Sequence, residues 1–219
     1  MHAFGQVELK GEKSDYKILD FCEQTLEDGS INFSRSDLAL QMLQQLENLH
    51  RMGLIHRDVK LENFMIKDNQ VYLIDFGASL KYKDGENHIP FKSKSEIYGT
   101  PYAASLNSHR CFEVARADDL ISLIYSLLWL WEVELPWKEI ALNQGQYQEY
   151  ENDQLFAPIY QSKSRLKLKD LKDRDSKILF YVLKYYLEEM QDLQFDNKDI
   201  DYEFIKKQFS LFVQNLKLN

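Results

Sequence analysis

Cysteine is nearly absent from this chain. Cys22 and Cys111 are its two, and no C-x-x-C spacing occurs. That excludes a disulfide framework and a cysteine-built zinc site, and it suits a reducing, cytoplasmic compartment. Positive charge is also short: 27 Lys and Arg stand against 35 Asp and Glu, a net charge of -8. With a pI near 5.2, neither nucleic acid nor an anionic membrane is expected as the main partner. No apolar run is long enough to span a bilayer. The most apolar stretch, Leu120 to Trp131, is broken by Ser122 and Ser126 and reads as a buried core helix. The N-terminal MHAFGQVELKGEKSD holds no apolar h-region, so no secretory signal is expected. Internal repeats and low-complexity tracts are missing too.

What remains is the makeup of a folded domain. Of its 219 residues, 44% are hydrophobic, enough for a real core. Val7-Glu8-Leu9, between Gly5 and Gly11, suits a strand edge or connector, and Tyr16 to Gln24 suits a short helix. Ser34 or Ser36 is placed to cap a helix carrying the stripe Leu38, Met42, Leu43, Leu46 and Leu49, with Gly53 just past its end. Phe64-Met65-Ile66 and Val71 to Ile74 read as a hairpin across Lys67 to Gln70. Residues 78 to 107 look irregular and residues 138 to 170 polar. Helices are expected over Asp118 to Trp131, Ser176 to Met190 and Asp201 to Leu216. The whole reads as one mostly helical domain with a small β-hairpin.

Chemistry concentrates at that hairpin. The run His56-Arg57-Asp58-Val59-Lys60-Leu61-Glu62-Asn63 enters it, and Asp75-Phe76-Gly77 leaves it, Asp75 lying twelve residues after Asn63. These are the H-R-D-x-K-x-x-N and D-F-G patterns of phosphoryl transfer from ATP. That reaction needs positioning and charge neutralisation more than covalent chemistry. Asp58 is placed to take an acceptor hydroxyl's proton, and Lys60 to neutralise charge developing on the γ-phosphate. Asn63 and Asp75 offer Mg²⁺ an amide oxygen and a carboxylate. Either motif alone would be weak; a lone D-F-G is usually a turn after a strand. In order, and joined by a hairpin that folds them to one face, they are specific.

With these motifs the chain resembles the eukaryotic protein kinases, and within them the casein kinase 1 family. Ala78 to Asp84, His88-Ile89-Pro90-Phe91 and Gly99-Thr100-Pro101-Tyr102-Ala103-Ala104-Ser105-Leu106-Asn107 are similar to that family's runs after D-F-G. So are Asp118 to Leu123, Leu135-Pro136-Trp137 and Phe195 to Tyr202. The likeness covers roughly Val7 to Phe212. It implies a mainly α fold, the C-terminal (large) lobe of the kinase fold. Residues 1–12 would be a remnant of the hinge strand and 13–219 the helical lobe. It also implies Glu8 and Leu9 at the hinge of the nucleotide site, Met65 on the adenine floor, and Asp119 anchoring the catalytic loop. Ser93, Ser95 and Thr100 fall in the activation segment, where solvation is the expected role of their hydroxyls.

The chain departs from that family in its contents. No G-x-G-x-x-G loop and no V-A-I-K lysine precede the catalytic run, and the match begins at the expected hinge. The segment before Ala103 lacks the family's basic residue, while Glu149, Glu151 and Asp153 add acidity. Ile124 takes a glycine position of the buried helix. The expectation is a non-catalytic binding or structural subunit, in the cytoplasm or in a cytoskeletal or other large assembly. ATP and Mg²⁺ would not bind tightly to this chain alone. A protein partner, or the N-terminal residues folding over it, would cover the surface of Met65 and Phe76, since large exposed apolar patches mark interaction sites. The alternative is a serine/threonine kinase whose small lobe belongs to the true gene product or comes in trans, with ATP and Mg²⁺ as cofactors.

Overall fold

The computed structural model describes residues 3–9, 12–18, 22, 24–27, 33–84, 87–90, 98–142, 153–184 and 200–212. The chain opens with a hairpin of β1 (Ala3–Leu9) and β2 (Glu12–Ile18), in register from Ala3 opposite Ile18 to Leu9 opposite Glu12. Of the helix expected over Tyr16 to Gln24, both ends are strand instead, and residues 19–21 and 23 lie outside the described residues. Tyr16 to Ile18 finish β2, and Gln24 begins β3 (Gln24–Thr25). The reason is cooperative: a nine-residue helix is marginal, whereas β1 satisfies the backbone groups of β2 rung by rung. The expected division between residues 12 and 13 falls inside this hairpin, and residues 13–18 are strand.

Helix α1 (Arg35–Arg51) begins where Ser34 Oγ accepts the Asp37 amide at 3.0 Å. Leu38, Met42, Leu43, Leu46 and Leu49 are all buried along it. It ends in Gly53, whose φ of +78° suits glycine alone without strain. The stripe packs on α3 (Arg116–Leu130), which is buried on nearly every side.

Between them runs the catalytic hairpin, β5 (Phe64–Lys67) and β6 (Gln70–Leu73). Its two-residue turn, Asp68-Asn69, has φ of 50° and 56°, the left-handed pair that matches strand twist. β3 adds to β5, with Gln24 opposite Ile66 and Thr25 opposite Met65. Two further strands, β4 (Leu54–Ile55) and β7 (Leu80–Lys81), pair with each other. That pairing zips the chain entering His56-Arg57-Asp58 to the chain leaving Asp75-Phe76-Gly77.

Residues 78–107 are less irregular than expected. After β7 come the paired β8 (Lys83–Asp84) and β9 (Asn87–His88), then α2 (Leu106–His109). Residues 91–97, with Ser93 and Ser95, lie outside the described residues, as do Glu149 and Glu151. The polar stretch from 138 to 170 contains α4 (Lys138–Leu142) and α5 (Asp153–Ser164). Then follow α6 (Arg174–Val182) and α7 (Tyr202–Phe209), capped by Asp173 and Asp201 respectively. Among the described residues the fold is mostly helical with small antiparallel sheets, and no helix is long and apolar enough to cross a membrane.

Candidate functional site

Asp119, buried near the start of α3, organises the catalytic loop. Its carboxylate accepts the backbone N–H of His56 at 2.7 Å and of Arg57 at 2.9 Å. The His50 ring lies 2.9 Å from the same carboxylate. Burial pushes this carboxyl up, but the hydrogen bonds from His50 and the His56 amide, with the charge those two rings carry when protonated, hold it below the usual range. Its neighbour Asp118 is equally buried and behaves oppositely: burial pushes it up to about 6, against hydrogen bonds from Ser105, Asn107 and the Ala115 amide.

The loop so anchored assembles four side chains. Asp58 accepts from the Thr100 hydroxyl at 2.9 Å, and Lys60 Nζ lies 3.1 Å from the other carboxylate oxygen. Lys60 also donates to Thr100 Oγ1 at 3.0 Å, closing a ring of three. Asn63 donates to the Asp58 carbonyl at 2.8 Å, and its own carbonyl accepts the Ile74 amide at 2.9 Å. The second bond ties the loop directly to the chain entering Asp75. Thr100, expected to be a solvated loop residue, is thus part of the cluster. Its signal in the sequence was only its place after Gly99. There φ is +95°, and an added Cβ would stand 3.1 Å from the Arg57 carbonyl, so the loop can approach this closely only at glycine.

Asp75 sits in the left-handed region, φ 58°, with its carboxylate accepting the Gly77 amide at 3.3 Å. It is exposed, and among the described residues no cation pairs with it. Asn63 spends its amide N–H on Asp58 and keeps an oxygen to offer. A carboxylate and an amide oxygen are donor types that suit Mg²⁺, which commonly takes one or two carboxylates and fills its sphere with water and phosphate. Among the described residues no three His, Cys, Asp or Glu side chains form a metal group; Asp75 and Asn63 are the residues that would hold the ion. Phe76 is 52% exposed, touching the His56 ring edge-on at 5.5 Å, and Tyr72 is 42% exposed.

Met65 is half-buried on β5 beside Thr25. Glu8 and Leu9, expected at the hinge, pair with Lys13 and Glu12 inside the first hairpin. Their ladder partners come from β2, and the segment that lies along β5 is Gln24–Thr25.

The acceptor-side loop is held from below. Lys163 on α5, fully buried, donates to the carbonyls of Pro101 at 2.8 Å and Ala104 at 2.6 Å, with His109 Nε2 at 3.3 Å. Desolvation drives its pKa well below the ordinary value. The neutral amine that this favours has two N–H groups for the two carbonyls and a lone pair for a ring N–H. Tyr102 donates to Glu62 at 2.7 Å and accepts from the Leu61 amide at 3.1 Å. Burial, then the Glu62 charge, raises its pKa, so the phenol stays a donor. Arg57 stacks on Tyr98, 4.2 Å from its ring centre, and donates to the Ala78 carbonyl. Lys163 gave no sequence signal: one lysine in a polar stretch looks like every other surface lysine.

The arrangement therefore offers a carboxylate against a hydroxyl, a cation two residues on, and a carboxylate and an amide oxygen for a hard metal. The family model of the protein kinase domain matches this chain over residues 13–193.

Proposed function

The chain belongs to the protein kinase family, and from that premise we propose that it is a casein-kinase-1-like protein serving as a binding or structural subunit of a larger assembly. The observation that carries this reading is a mismatch. A bonded acceptor-side cluster stands next to an open face on which Asp75, Phe76 and Tyr72 are exposed. Phosphoryl transfer requires the nucleotide's phosphates to be clamped and water excluded. The partner is a protein that covers the Phe76 and Met65 face, and β3 (Gln24–Thr25), whose Thr25 lies opposite Met65, borders the adenine side.

The second reading is a serine/threonine kinase completed by a small lobe from a longer gene product or in trans. The intact ring of Asp58, Lys60 and Thr100, with Asn63 and Asp75 beside it, favours that reading. Thermal unfolding of the 219-residue chain with rising ATP and Mg²⁺ separates the two. Stabilisation grows with ligand concentration over Kd. The binding-subunit reading expects no ligand-dependent rise in Tm; a rise that Asp75→Ala abolishes, together with phosphate transfer that Asp58→Asn abolishes, would overturn it.

A further inference from the structure

A chain of polar contacts runs from the last described helix into the catalytic loop. Tyr202, the first residue of α7, lies with its hydroxyl 2.5 Å from His50 Nδ1, 152 positions away in sequence. His50 Nε2 is 2.9 Å from Asp119, which holds the His56 and Arg57 amides. The proton assignments follow from the partners. An ionised carboxylate only accepts, so Nε2 carries the hydrogen. In a neutral ring Nδ1 is then the acceptor, and the Tyr202 hydroxyl is the donor that meets it. The His50 carbonyl is separately held by the Tyr82 hydroxyl at 2.9 Å, so the ring's backbone is fixed from another side.

We propose that Tyr202 is a positioning residue for the catalytic loop, acting from α7 through His50 and Asp119. Its hydroxyl selects the tautomer and holds the ring plane that aim Nε2–H at Asp119. A second-sphere donor of this kind is how proteins orient a histidine. Docking of α7 does not need this hydroxyl. Ile205 and Phe209 are buried, and Lys206 bridges to Glu47 on α1 at 2.8 Å. The charged and titratable groups around the pair are Asp119 and Arg116 from α3, Glu47 from α1 and Tyr82 after β7.

The inference rests on reading the His56 to Asn63 loop as the working site, but its test does not use catalysis and so fails or succeeds apart from that reading. The ¹⁵N resonances of His50 in the whole chain come first. Wild type is expected to show protonated Nε2 and a hydrogen-bonded Nδ1; a ring protonated at Nδ1 with bare Nε2 would overturn the proposal without any variant. Tyr202→Phe then keeps the ring and removes the donor. Losing one hydrogen bond's worth of restraint should speed amide exchange at His56 and Arg57 by about tenfold, and His50 Nδ1 should shift toward a free imine nitrogen. Lys206→Ala loosens α7 without touching His50 and should change neither. Unchanged exchange and shift in Tyr202→Phe, or the same changes in Lys206→Ala, would show that the hydroxyl does not position the loop.

Discussion

The two sides of the site are built in different ways. On the acceptor side Asp58, Lys60 and Thr100 bond to one another, Tyr102 bonds to Glu62, and Lys163 fastens the carbonyls of Pro101 and Ala104 from a fully buried position. On the nucleotide side Asp75 and Phe76 are exposed, with one weak amide contact and one ring edge between them. A low-dielectric setting makes the buried contacts of Lys163 and Tyr102 strong and their loss expensive. The same logic leaves the second side free to be completed by something else.

Mutations should break this contrast in graded steps. Asp119→Ala is expected to do most damage, costing about 3–5 kcal/mol in denaturant unfolding, because it orphans two buried amides and a histidine together. Lys163→Met fills the same space but leaves two carbonyls without donors, a loss of about 1–3 kcal/mol. It should also remove a pH response. Unfolded Lys163 keeps its proton up to its ordinary value while the folded form sheds it earlier, so wild type gains stability as pH rises toward that value and the variant does not.

Asp118 supplies a smaller response of opposite sign. With its carboxyl raised to about 6 from 3.8, the folded state binds more protons than the unfolded state between those values. Its contribution is full below the lower value and fades as pH climbs through the upper one. Asp118→Asn should flatten that slope between pH 4 and 6, read by urea unfolding at several pH values. At the open end, Phe76→Ser should change the stability of the isolated chain by no more than about 0.5 kcal/mol, as surface changes do. A larger loss would mean that the nucleotide side is as tightly built as the acceptor side.

Local signals carried much of the fold. The α1 stripe, its Ser34 cap, the buried α3 and the hairpin between Asn63 and Asp75 follow from period, capping and turn chemistry, each visible within one turn or one strand pair. The first hairpin was not legible because Tyr16 to Ile18 have apolar content compatible with either state, and pairing with β1 decided between them. Part of the site was equally hidden. Thr100 bonds Asp58 and Lys60 where its loop position suggests solvation, Lys163 is one lysine in a polar stretch, and Tyr202 stands in the sequence only as the end of the family-like run from Phe195. No periodicity marks a residue whose partner is forty or more positions away.

Residue order alone supplies the chemistry available: Asp58, Lys60, Asn63 and Asp75 at a spacing that one hairpin can bring to one face, and the protein kinase family that uses them. Which of these groups are restrained follows from how the folded segments pack. Restraint comes from desolvated contacts between distant segments: Asp119 on the loop amides, Thr100 on Asp58, Lys163 under the acceptor loop and Tyr202 behind His50. Such contacts depend on burial and direction, quantities that exist only once the chain has folded.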